Sequence, residues 1–112
     1  MKFITKALIG VAFFSGFAHA SPDEDAFCNG ISKKIVDAAY AKDESFLRNV
    51  KNYDVKLQVN DAVLTKYNIE KLVVRAKIIA QDFPYGDHQK MAGEIETKCS
   101  MSAARFHDNL GR

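Results

Sequence analysis

Cysteine is scarce in this chain: two among 112 residues, Cys28 and Cys99, with no Cys-x-x-Cys pair and no His-x-x-x-His spacing to build a zinc site from. Glycine-rich phosphate loops are also missing, since Gly30 and Gly86 stand alone in "CNG" and "YGD". Ser45, Ser100 and Ser102 occupy no nucleophile-elbow context. After the first twenty residues no apolar run approaches the length of about 20 residues that a membrane span wants. No lysine or arginine cluster exists beyond Ser32-Lys33-Lys34, which on a helix is a solvated face. These absences leave no cofactor, no metal and no catalytic constellation to argue from, and the chain reads as a non-enzyme.

What is present begins with "MKFITKALIGVAFFSGFAHA". Lys2 and Lys6 give a positive start, Ala7 to Ala18 an apolar stretch, and Ala18-His19-Ala20 the small residues a signal peptidase needs. We therefore expect residues 1–20 to be a signal peptide cut after Ala20, and residues 21–112 to form a single helical domain delivered to the periplasm without membrane insertion. The charge changes with the cut. The whole chain carries 16 lysines and arginines against 14 acidic residues; Lys2 and Lys6 leave with the leader, so 14 face 14. A neutral product gives no footing for nucleic acid as a partner.

A domain this small buries barely enough apolar surface to offset the entropy of ordering, so a covalent staple is useful. In an oxidising compartment the isolated pair Cys28 and Cys99 reads as a disulfide. Ser21-Pro22-Asp23-Glu24 is a helix start, with Ser21 as cap, Pro22 in the first helical position and Glu24 completing a capping box. Phe27, Cys28, Ile31, Ile35 and Ala38 then recur at helical spacing to about Ala41. Asp43 caps a short second helix through Phe46, Leu47 and Val50. Asn68 caps a third, whose Ile69, Leu72, Val73, Ala76, Ile79, Ala80 and Phe83 form its apolar stripe. Pro84 ends that helix near Phe83, and Asp87 caps a last one through Met91, Ile95, Cys99 and Phe106. With the first and last helices antiparallel, Cys28 and Cys99 come level.

The expected fold is therefore all-α, a small antiparallel helical bundle stapled by one disulfide. The segment 53–67 carries the alternative, α+β with a hairpin. Tyr53, Val55, Leu57 and Val59 alternate with polar residues and Asn60-Asp61 could turn the chain back. A lone hairpin is marginal unless helices cover it, which favours irregular chain plus a helical turn. Tyr53, Tyr67, Tyr85 and His88 are the candidate partner-binding residues, the tyrosines because aromatics in connecting segments serve as contact anchors. Phe83 should point inward and Tyr85 outward. His88 and His107, each beside an aspartate, read as surface groups.

"ISKKIVDAAY", "IIAQDFPYGD" and "EIETKC", with a cysteine about eight residues into the mature chain, resemble the small, mostly uncharacterised two-cysteine secreted helical proteins of Gram-negative bacteria and their phages. The resemblance covers most of the mature chain and implies location and architecture. "FCNGISKKIVDAAY" and "FPYGDHQKMAGEIETKC" are also similar to periplasmic immunity proteins, which block the clefts of cell-wall hydrolases, although those families often carry further cysteines absent here. In size and single disulfide the chain resembles the small acid-activated periplasmic chaperones as well. These point to a monomeric or homodimeric periplasmic protein-interaction module whose partner is another protein, with hydrolase neutralisation and acid-stress chaperoning as the alternatives.

Overall fold

The computed structural model describes residues 20–111. Residues 1–19, on which most of the expected signal peptide falls, and Arg112 lie outside the described residues. Four α-helices and one two-stranded antiparallel hairpin make up the described chain: α1 (Pro22–Ala41), α2 (Glu44–Asn49) running into a 3-10 turn (Val50–Tyr53), β1 (Lys56–Val59), β2 (Ala62–Thr65), α3 (Ile69–Asp82) and α4 (His88–Leu110).

α1 starts as its local chemistry dictates. The Ser21 hydroxyl accepts from the Glu24 N–H at 3.2 Å while Glu24 Oε1 accepts from the Ser21 N–H at 2.8 Å, the reciprocal pair of a capping box. Its apolar stripe, from Cys28 through Ile31 and Ile35 to Ala39, packs mainly on α4 and next on α3. The α1–α4 pairing is antiparallel, since partners descend along α4 as α1 ascends: Asp25 with Ser100, Asn29 with Glu96, Asp37 with His88. That order brings Cys28 and Cys99 level, and they form a disulfide with Cα atoms 5.6 Å apart. Both are fully buried beside Ile35, Ile95 and Ala103.

The all-α expectation is corrected by the hairpin, which makes the fold α+β. β1 and β2 pair in the register Lys56 with Thr65 through Val59 with Ala62, leaving Asn60-Asp61 as the turn. Asn60 takes a left-handed φ of 54°, a conformation asparagine tolerates better than most residues. No described helix covers this hairpin, whose strands are exposed or half-buried; polar contacts hold its root. Asp54 Oδ1 accepts from the Val55 and Tyr67 N–H groups, both at 2.9 Å, and Oδ2 accepts from the Ile69 N–H at 2.8 Å. One carboxylate thus closes the hairpin and caps α3. Asn68, expected to cap α3, makes no side-chain cap and sits in the left-handed region at φ 55° instead.

Replacing Asp54 with alanine leaves the Tyr67 and Ile69 amides without their partner and should cost about 2 kcal/mol. Thermal unfolding reads the loss. Amide exchange should accelerate in the hairpin and the first turn of α3 while α1 and α4 stay protected.

At the opposite end, Pro84 stops α3 at Asp82. Phe83, expected inside, is 56 % exposed. It has left helical conformation, at φ −130°, and its carbonyl is engaged by the Tyr40 hydroxyl at 2.7 Å and the Gly86 N–H at 2.9 Å, so the backbone faces inward and the ring outward. A Cβ on Gly86 would come within 2.8 Å of the Tyr40 hydroxyl oxygen, so only glycine lets the turn approach so closely.

Candidate functional site

The four residues singled out by sequence do not converge. Tyr53 is exposed and lines an open cavity of about 310 Å³ with Phe27, Gly30, Lys34 and Phe46. Tyr67 is 6 % exposed, its ring 4.3 Å from that of Phe27, and it packs at the bundle end beside the hairpin root. Burial pushes its phenol up from the ordinary range, with Lys66 pulling it down. Tyr85 and His88 belong to the other end of the molecule. Tyr85 is fully exposed; His88 stacks on Tyr40 at 4.0 Å, with its Nδ1 3.1 Å from Asp37 Oδ1.

His107 stands about 28 Å from His88 along α4, given 1.5 Å of rise per residue. Its Nε2 lies 2.8 Å from both carboxylate oxygens of Glu24. No group of three histidine, cysteine or acidic side chains able to hold a metal occurs among the described residues. Nor does any described helix have the length and apolarity to cross a membrane.

Three features gather at the hairpin end, none of them singled out by the sequence as a binding site. First is the hairpin's own surface. Alternation puts Val55, Leu57, Val59, Ala62 and Leu64 on one face, with Lys66 at its root. Leu57 is 41 % exposed, and Val55 and Val59 are exposed beside it. With two strands only, each keeps one outer edge of N–H and C=O groups outside the ladder.

Second is Glu24, 6 % exposed, which receives Lys66 from the hairpin root, His107 from α4 and the Ser21 N–H from its own cap. Burial pushes its carboxyl up, but the hydrogen bonds from Lys66, the Ser21 backbone and His107 outweigh it and hold the pKa at about 2. Lys66 is raised in turn by its bond to Glu24, against burial.

Third is a groove of about 200 Å³ between α3 and α4, floored by Tyr67, Leu72 and Met101 and rimmed by Lys71, Lys98 and Arg105. None of these three cations makes an ion pair with a described residue. Glu94, four residues before Lys98 on α4, is taken by Arg75 at 2.6 Å. Lys98 and Arg105 share a face of α4 two turns apart, and Lys71 joins them from α3; in the sequence they look like scattered charges.

Comparison with protein-family models, curated proteins and solved structures finds no match to this chain. The function must be argued from the surfaces themselves.

Proposed function

We propose that this chain is a periplasmic protein-interaction module whose hairpin and adjoining basic groove receive an extended, acidic segment of a partner protein. The observation that carries the reading is the apolar hairpin face through Leu57 and Val59, which the described helices leave open. Outer strand edges are a template for strand addition, in which main-chain hydrogen bonds give affinity and alternate side chains give specificity. Charge complementarity sets the partner's chemistry: three cations with no ion pair among the described residues border an apolar floor next to the hairpin root, matching apolar residues interspersed with carboxylates. Lys98 and Arg105 are about 10 Å apart along the helix axis, a spacing that about three residues of extended chain cover. The buried disulfide supports export, being at home in an oxidising compartment.

The neutralisation of a cell-wall hydrolase is a more specific form of the same reading. It draws support from the hairpin's narrow outline, two strands ending in the two-residue turn Asn60-Asp61, a shape suited to entering a cleft.

A photo-crosslinking amino acid placed at position 57 or 98 in protein residing in its native envelope tests the proposal. The expected outcome is the same polypeptide adduct from both positions and none from position 33, on the exposed outer side of α1. Adducts at 98 should weaken as ionic strength rises during crosslinking. Absence of adducts at 57 and 98, or equal adducts at 33, would contradict it.

A further inference from the structure

We propose that Glu24 is a built receptor for the amino group that cleavage after Ala20 creates. The proposal rests on the export reading and goes beyond it. Hydrolysis of the Ala20–Ser21 peptide bond by an envelope peptidase consumes one water, leaves the new carboxylate on Ala20, and turns the Ser21 nitrogen from an amide into a primary amine that takes up a proton. That nitrogen already lies 2.8 Å from Glu24 Oε1. A neutral N–H bond thereby becomes an ammonium–carboxylate bond, of a kind roughly twice as strong.

The receptor is positioned before the ligand exists. Lys66 and His107 hold the Glu24 carboxylate from two other elements, and the Glu24 N–H rests on the Ser21 hydroxyl. An ammonium at a helix N-terminus meets the positive end of the helix dipole. Asp23, Glu24 and Asp25 in the first turn offset that field, and Asp25 is steadied by the Ser100 hydroxyl at 2.9 Å. Ser21 itself is exposed, so the remaining ammonium protons stay in water. Processing is coupled by this route to the recognition end, because the carboxylate that binds the new terminus also holds Lys66 at the hairpin root.

The pH dependence follows from the facing groups: Lys66 and Tyr67 after β2, His107 on α4, and Asp23 and Asp25 on α1. An α-amino group ordinarily titrates near about 7.7–8.0, and contact with Glu24 raises it. The stability gained on cleavage is then full below that ordinary value and lost as the pH rises through the raised one. On the acid side it fades as Glu24 protonates toward about 2.

Native ligation at Cys28 allows the test, since Ser21–Phe27 can be made as a synthetic thioester and joined to residues 28–112. The product with a free Ser21 amine should melt about 5 °C above the Nα-acetyl product at pH 6.5. The gap should close above pH 10 and vanish in Glu24→Gln. No gap, or a gap that survives Glu24→Gln, overturns the proposal. Should Glu24→Gln not fold, cyanate labelling of the Ser21 amine decides. Labelling is expected about tenfold slower in the folded protein than in urea, because the Glu24 contact holds the amine in its unreactive protonated form; equal rates overturn it. Whether native protein begins at Ser21, read by mass, bears on the export reading alone, because the ligated pair tests Glu24 either way.

Discussion

Replacing Cys28 and Cys99 together with alanine should lower the melting temperature by about 20 °C. The bond closes a loop with a sequence separation of 71 residues. In the chain-entropy account, a loop of that length restricts the unfolded chain by about 4 kcal/mol, and each kcal/mol moves the midpoint of a domain this size by about 4–8 °C. The bond joins the second turn of α1 to the middle of α4, the pair that shares the largest interface in the fold. Few other pairs of positions would constrain the unfolded chain more. Reduction of the unaltered protein should reproduce the loss, and calorimetry before and after reduction checks it. A shift of only a few degrees would mean that the helices hold their register without the bond.

Glu24→Gln should cost about 2–3 kcal/mol at neutral pH, because it discharges a carboxylate that is buried and bound by three elements while leaving Lys66 without its counter-charge. The sign of its pH dependence is set by the lowered carboxyl. A group held at about 2 when folded, against an ordinary value of about 4.3 when unfolded, stabilises fully above the ordinary value and loses its effect as the pH falls toward 2. The difference between wild type and Glu24→Gln, measured by urea unfolding, should therefore be constant above pH 5 and shrink steadily below pH 4. The same carboxylate bears on the chaperone alternative. At pH 3 it still ties α1, the hairpin root and α4 together, so this contact resists the acid loosening that a holdase needs.

What could be read from the sequence was local or followed from composition. The capping box spans three residues, so Ser21 and Glu24 announced each other. The disulfide followed from a count of two cysteines and from the oxidising compartment that an expected signal peptide implies. The hairpin was visible as alternation at Val55, Leu57 and Val59, yet its apparent lack of cover argued against it, because the compensating contact runs from Asp54 to amides 13 and 15 residues away. The same distance hid the capping of α3, which Asn68 imitates by position without performing it. Phe83 was misjudged for a different reason. Its place on the apolar stripe suggested burial, but Pro84 had already turned its backbone out of the helix.

The candidate site was less legible than the fold. Tyr53 and Tyr85 are exposed as contact residues must be, but they stand at opposite ends, and Tyr67 is core. Glu24 was recognised as a cap and not as a hub, since its partners Lys66 and His107 lie 42 and 83 residues on. The basic groove needed α3 and α4 to pack before Lys71, Lys98 and Arg105 became neighbours. A helix face can be counted from spacing; a surface made by two helices cannot.

The central claim is that a chain cut to begin at Ser21 and tied through Cys28 and Cys99 carries an uncovered hairpin into an oxidising compartment. Mass spectrometry of protein taken from its native envelope, alkylated before and after reduction, tests it most directly. The account expects a chain beginning at Ser21 that resists alkylation until reduced and is then modified at both cysteines. A product that retains the first twenty residues, or one whose two thiols alkylate without reduction, would contradict it.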